Sequence, residues 1–302
     1  MKKMIIAGGT GFLGNACIDY FKSSYDMIYV LTRGRLRQLD NVHYVNWDAK
    51  TLGDWCTHIN DCDVLINMTG RSVDCRYTAK NKNSILNSRT NSTSVLGEAL
   101  AKAKHPPRLW LNSSTATIYR HSLVAEMGEE NGEIGNGFSV DVAKAWESAF
   151  FSVPIPNTRK VALRTSIVLG KGGGALRQIK NLAKIGFGGK QGSGNQKFSW
   201  IHLTDFLRAI RHLIENETLE GPVNLVAPKP VTNTALMKAV RKSVGMPFGI
   251  PLSKVLLEIG ARIIGTETEL VLKSRNVVPK KLVHSGFEFN YRSLDAALEE
   301  AI

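Results

Sequence analysis

Glycines at positions 8, 11 and 14, in the run Gly8-Gly9-Thr10-Gly11-Phe12-Leu13-Gly14, stand three residues apart. That spacing suits a tight turn, a close approach of backbone to a pyrophosphate, and a close packing of helix on strand. The phosphates would lie at the amino end of the following helix, where unpaired N–H groups and the helix dipole favour negative charge. Arg33 closes a second apolar run, with Arg35 and Arg37 close by. An acidic residue there would favour NAD, whereas a guanidinium can fork onto a ribose 2′-phosphate, so the residue choice points to NADP(H). Asp48 offers a carboxylate that can accept from an adenine amino group, and Met68-Thr69-Gly70 ends an apolar run in small residues that let backbone pass close to a cofactor. Asn112-Ser113-Ser114-Thr115-Ala116-Thr117-Ile118-Tyr119 ends another run in hydroxyls, where open α/β sheets bind their ligands.

These residues need strands and helices in alternation to bring them together, and the chain supplies the pattern. An apolar strand from residue 4 precedes the glycine turn, and Phe12, Leu13, Cys17, Ile18 and Phe21 follow at helical spacing. Further strands are expected at 27–31, 42–45, 63–67, from 108, at 161–169 and at 223–226, with long helices over 84–103 and about 140–151. Alternation of this kind implies an α/β fold, a Rossmann-type doubly wound parallel sheet, with a smaller C-terminal α-rich substrate domain. Residues 1–170 would form the nucleotide-binding domain, its sheet completed by about 200–228. Residues 171–199 and 229–302 would form the substrate-side lobe and C-terminal domain. Eight glycines between Gly172 and Gly194 mark a segment expected to hold little regular structure, a lid or substrate loop.

The 302 residues suffice for a substantial core, and 43% hydrophobic with 22% charged residues is an ordinary globular balance. No run approaches the roughly 18 apolar residues that span a bilayer. A cytoplasmic location is expected, with no membrane association. Cys17, Cys56, Cys62 and Cys75 lack metal-ligand spacing, so no metal site is expected. The net charge of +13 would suit anionic cofactors and substrates; without a recognisable nucleic-acid module, no nucleic-acid partner is expected.

Taken together, Gly8 to Gly14, Asn67 to Gly70, Arg76-Tyr77-Thr78, Ile85 to Arg89, Trp146-Glu147, Arg164 to Gly170, Gly192 to His202, Asn224 to Pro230, Val278 to Leu282 and Gly286 to Phe289 resemble a known family along essentially the whole chain. It is the atypical, YfcH-like epimerase family within the extended short-chain dehydrogenase/reductases. The resemblance implies a Rossmann domain binding NADP(H), with the pyrophosphate on Gly8, Thr10, Gly11, Phe12 and Leu13 and the 2′-phosphate on Thr32 and Arg33. It also implies Met68 and Thr69 beside the adenosine, Gly70 and Ser113 along the cofactor, Arg89 reaching it from a helix, and Ile167 near the nicotinamide. Relatives in the superfamily commonly pair, so a homodimer is compatible with it.

The superfamily's usual chemistry uses a Ser or Thr to orient the substrate oxygen, a tyrosine for the proton and a lysine four residues on that holds the ribose. Thr115 fits the first role, and the usual spacing of about 25 residues places Val140 at the tyrosine and Lys144 at the lysine. Valine transfers no proton, which leaves Tyr119, Tyr77 and Lys144 as substitutes. The arginine that grips nucleotide-sugar phosphates in the extended branch is also absent from Phe198 to His202, where Lys197 is adjacent and Arg76 or Arg177 are the candidates to compensate. Expected are an oxidoreductase or epimerase-like enzyme of atypical mechanism acting on a small polar, sugar-like or carbonyl substrate, or an NADP(H)-sensing regulatory protein without turnover.

Overall fold

The computed structural model describes all 302 residues, apart from the side chain of Leu270. Its centre is an eight-stranded sheet in the order β11-β7-β6-β5-β1-β2-β4-β3. The strands are β1 (Lys3–Ala7), β2 (Met27–Thr32), β3 (Gln38–Leu39), β4 (Val42–Asn46), β5 (Val64–Asn67), β6 (Leu109–Thr115), β7 (Arg159–Thr165) and β11 (Gly221–Leu225). All pair in parallel except the short β3, which runs antiparallel to β4. Helices cover both faces, as an apolar parallel sheet requires. Met4 and Ile6 of β1 pack with α1 (Phe12–Phe21) and α5 (Leu203–Glu215) on one face. Ile5 and Ala7 pack with α2 (Ala79–Lys102) and α3 (Phe138–Phe151) on the other. The same alternation runs through Val64, Leu65 and Ile66 of β5 and Leu109, Trp110 and Leu111 of β6. The Rossmann-type α/β expectation is met.

Strand order reverses between β1 and β5, whose neighbours continue in opposite directions. A crevice opens at the carboxyl ends of the strands at such a reversal. The glycine turn follows β1 and Met68-Thr69-Gly70 follows β5, so the topology itself brings the two segments together. Gly8 has φ +77°, and a Cβ there would meet the Met68 carbonyl and the Thr69 nitrogen at 2.8 Å.

Two regions differ from the sequence reading. The strand expected over 161–169 is two strands, because β7 ends at Thr165 and β8 (Ile167–Leu169) leaves the main sheet to pair with β10 (Trp200–His202). The glycine-rich segment contains a nine-residue helix, α4 (Gly174–Leu182). Three of its glycines stand at the start of the helix and five follow it, while Leu176, Ile179 and Ala183 fall at helical spacing and pack on Trp200, Leu236 and Leu298. Among the described residues, β9 (Lys197–Phe198) and β12 (Val231–Thr232) form a second small pair. The remaining helices are α6 (Asn233–Ser243), α7 (Lys254–Ile264), α8 (Glu269–Leu272), α9 (Lys280–His284) and α10 (Leu294–Ala301). No helix among the described residues is long and apolar enough to cross a membrane.

Candidate functional site

Two cavities meet at the carboxyl edge of the sheet. The first, of about 820 Å³, is lined by Gly8, Thr10, Gly11, Thr32, Arg33 and Asp48 together with Met68, Thr69, Gly70 and residues of the first half of α2. The second, of about 500 Å³, shares Gly8, Gly11, Met68, Thr69 and Gly70 with it and continues past Phe12 and Leu13 to Ser113, Thr115, Tyr77 and Arg89. Together they form a bent cleft in two halves, hinged on the glycine turn.

The glycines of that turn do different work. A Cβ on Gly14 would strike Gly9 and Gly8 at 2.5 to 2.6 Å, so this glycine is needed for helix to pack on turn. Gly11 has an ordinary φ of −83°, and a Cβ on it would meet only the Gly8 carbonyl, at 3.7 Å. Nothing in the protein's own packing demands glycine there, and the residue lines both cavities. Gly11 is also the N-cap of α1, where no side chain caps the helix and no acidic residue stands in the first turn. The amino end is thus left to an anion. Thr69 adds a second sign of an occupant, because its Oγ1 is buried without a hydrogen-bond partner.

Arg33 lines the first cavity, is exposed, and forms no ion pair among the described residues. Arg37 is committed elsewhere, donating to the Tyr44 hydroxyl at 2.9 Å and lying over its ring. Thr32 is nearly buried and accepts from the Gly34 amide. Asp48 lines the cavity but accepts from the Lys50 and Thr51 amides and the Thr51 hydroxyl, all at 2.8 Å. Those amide bonds hold its carboxyl below the usual range. Lys50, Arg71 and Lys80 also face this cavity, and no motif in the sequence marked them.

The second cavity departs most from the sequence reading. Its α3 wall is Phe138, Ser139, Val142 and Trp146. Lys144 is exposed and Val140 fully buried, and neither lines the cleft. Two residues along a helix turn about 200°, which places Lys144 nearly opposite Val142. The cleft-facing pair four residues apart is therefore Val142 and Trp146, shifted by two from the spacing assumed above. The Trp146 indole donates to Thr93 Oγ1 at 3.0 Å. Arg89 lies over its ring at 5.0 Å and crosses beside Gly70, where a Cβ would meet its guanidinium at 3.2 Å. Burial pulls the Arg89 guanidinium down to about 10, and it donates to the carbonyls of Arg71 and Ile85.

Tyr119, named above as a substitute for the missing phenol, is 1% exposed and lies outside the cleft. Its hydroxyl accepts from Arg164 at 2.8 Å and donates to Asn224 at 3.0 Å. Glu147 completes this buried network, taking two hydrogen bonds from Arg164 at 2.8 Å and one from Ser114 at 2.6 Å. Tyr119 thus links the segment after β6 to β7 and β11. Ile167 likewise packs with the α4 and α10 cluster, and the cleft is faced by Thr165 and Ser166 instead. Thr115 does line the cleft, with its hydroxyl 3.0 Å from that of Thr117.

The C-terminal part of the chain closes this half of the site. Glu267 pairs with Arg76 at 3.2 Å and accepts from the Tyr77 amide at 2.7 Å, while Glu269 accepts from the Ser139 hydroxyl at 3.0 Å. Arg76 is thereby paired, and it lines neither cavity. Arg177 lies in a separate cavity beside Lys171 and Lys180. His202 is buried, accepts from the Thr204 amide at the start of α5 and has its other ring nitrogen 2.6 Å from Glu300, so it caps a helix. Among the described residues no three His, Cys, Asp or Glu converge as a metal site.

Comparison with known proteins places the chain in a family. Residues 4–136 match the model of the NAD dependent epimerase/dehydratase family, and residues 254–301 match a domain of unknown function. An epimerase family protein of Staphylococcus haemolyticus is 32% identical, over 100% of this chain and 99% of its own. Epimerase family protein SDR39U1 of Bos taurus is 30% identical, over 99% of both chains. Human epimerase family protein SDR39U1, solved with NADPH, superposes with a TM-score of 0.86 at 28% identity, over 99% of this chain and 98% of that one. The chain belongs to the NAD dependent epimerase/dehydratase family and carries the C-terminal domain found with it.

Proposed function

We propose that the protein binds NADP(H) along the bent cleft and acts as an oxidoreductase or epimerase-like enzyme on a small carbonyl or sugar-like substrate. The observation that carries the reading is the pair of cavities meeting at a glycine turn whose Gly11 lines both, with nothing of the protein closer than 3.7 Å to a Cβ placed there. The orphaned hydroxyl of Thr69 and the uncapped amino end of α1 fit a pyrophosphate and its neighbouring ribose. Arg33, with Lys50 and Arg71 across the same cavity, fits a 2′-phosphate. The human relative solved with NADPH supports the choice of cofactor. The cofactor would supply or accept hydride in the second cavity. Thr115, Thr117 and Ser166 present hydroxyls there to orient a substrate oxygen, while Phe138, Val142 and Trp146 exclude water.

Calorimetric titration with NADPH and NADH tests this. The wild type should prefer NADPH, and Arg33→Gln should lose about tenfold in NADPH affinity, the effect of one charge-assisted contact, with NADH unchanged. Equal affinities for both nucleotides in the wild type would overturn the assignment to NADP(H).

The regulatory reading has one observation in its favour: Val142 and Trp146 face the cleft at the spacing where a phenol and an ammonium would do chemistry. It requires that bound NADPH is never oxidised by any carbonyl compound offered to it.

A further inference from the structure

The second cavity lacks a tyrosine on α3 but does not lack a phenol. Tyr77, from the segment between β5 and α2, is the one tyrosine among its lining residues, and it shares that lining with Thr115, Ser113 and Arg89. Its ring is held edge-on against Phe138 with centroids 4.8 Å apart, and its amide donates to Glu267. The phenol neighbours the Ser139 hydroxyl at the start of α3. Ser139 in turn donates to Oε2 of Glu269, a carboxylate that is 29% exposed and so reaches solvent. Phenol, hydroxyl and carboxylate are thus successive neighbours, and the carboxylate at the solvent end also pairs with Lys273 at 3.7 Å. The last member comes from the C-terminal domain.

We propose that Tyr77 is the proton-transferring residue of this cleft and that Ser139 and Glu269 relay its proton to solvent, so that the C-terminal domain completes the chemistry of the nucleotide-binding domain. This rests on the enzymatic reading above. In the oxidative direction a hydride leaves the carbinol carbon for the oxidised nicotinamide, carrying the electron pair of the C–H bond. The substrate hydroxyl proton moves to Tyr77 Oη as the phenol's own proton moves to Ser139 Oγ and the serine's to Glu269 Oε2. The carbinol becomes a carbonyl and the carboxylate a carboxylic acid, which returns its proton to water. In reduction every transfer reverses. The hydrogen bond from Ser139 to Glu269 already points in the oxidative sense.

Other ionisable groups face Tyr77. Cys75 precedes it, Glu267 and Glu269 approach from the C-terminal segment, and Arg89 and Arg275 bring positive charge. Burial raises the phenol above its ordinary value, the Ser139 hydrogen bond lowers it, and Glu269, Cys75 and Glu267 raise it. The phenol therefore keeps its proton at neutral pH, so a base is needed at the far end of the relay.

The test combines a titration with a reaction. Carbon-13 resonances of ring-labelled tyrosine, with Tyr77→Phe to assign the signal, follow the phenol against pH. Its midpoint should lie above that of free tyrosine, fall in Glu269→Gln and rise in Ser139→Ala. NADPH oxidation is followed with phenanthrenequinone as carbonyl probe, alongside NADPH affinity. Tyr77→Phe should keep its NADPH affinity and lose at least tenfold in kcat. Its ring and amide contacts survive the change, so the fold should too. Glu269→Gln, which can neither take up nor release a proton, should lose turnover without a change in KM.

An unchanged kcat in Tyr77→Phe, with an active wild type, would overturn this inference and leave the enzymatic reading standing. A Tyr77 midpoint indifferent to Glu269→Gln would remove the relay. A wild type that binds NADPH but never oxidises it would overturn the enzymatic reading itself, and this inference with it.

Discussion

At the scale of single residues, the same amino acid in one motif carries different loads. Gly8 adopts a left-handed φ against the backbone of Met68 and Thr69, so Gly8→Ala is strained in conformation and in space. Gly11 is neither. Gly11→Ala should leave the melting temperature of the free protein within a degree or two, consistent with a change under about 0.5 kcal/mol, yet abolish most of the stabilisation by NADPH. Gly8→Ala should lower the melting temperature of the free protein itself, by the several degrees that correspond to about 1–3 kcal/mol. Thermal melts of both variants with and without NADPH check the pair. If Gly11→Ala melts early without ligand, its glycine is structural and is not reserved for the cofactor. The contrast was not legible in the sequence, where Gly8, Gly11 and Gly14 are equivalent letters at equal spacing.

At the scale of elements, legibility followed periodicity. Strands buried on both faces announced themselves as apolar runs, and the glycine turn announced the β1 to α1 junction. The facing of α3 did not announce itself. Its sequence carries apolar residues at 138, 140, 142, 143, 145, 146, 149, 150 and 151, so more than one stripe is apolar. A spacing carried over from a family pattern then missed by two residues, and on a helix two residues exchange one face for the other. Tyr119 was misread for a similar reason: a hydroxyl near a strand end is equally suited to a cleft or to a buried network. The partners that decide it, Arg164 and Asn224, lie 45 and 105 residues away. Burial alone would pull the Arg164 guanidinium down, but the hydrogen bonds and charge of Glu147 more than offset it and leave it raised. Arg164→Met should cost about 3–5 kcal/mol by stranding Glu147 in the interior, read as a lower midpoint in urea. A loss below 1 kcal/mol would mean that the Glu147 carboxylate is solvated in the folded protein.

At the scale of the whole molecule, the C-terminal part is fastened to the nucleotide-binding domain by polar contacts over the cleft and by buried histidine contacts behind it. His202 lies against the Tyr291 ring, tilted 37° to it, and faces Glu300, and burial lowers its pKa from the ordinary 6.5 despite Glu300 and Asp205. Burial also lowers His58 and His212. A folded state that binds protons less readily than the unfolded chain gains stability as pH rises. The contribution of these histidines is complete above about pH 6.5 and is lost as pH falls through their lowered folded values. The melting temperature should therefore drop between about pH 7 and pH 5, with a shallower slope in His202→Gln. An equal slope in that variant would remove His202 from the account. The central claim, however, is that one dinucleotide fills both halves of the bent cleft. The most direct measurement is a crystal structure of the protein grown with NADPH. The pyrophosphate should lie on Gly8 to Leu13, the 2′-phosphate against Arg33, and the nicotinamide in the cavity walled by Thr115, Tyr77 and Val142. A cofactor bound with its nicotinamide outside that cavity, or no cofactor in the cleft at saturating concentration, would contradict it.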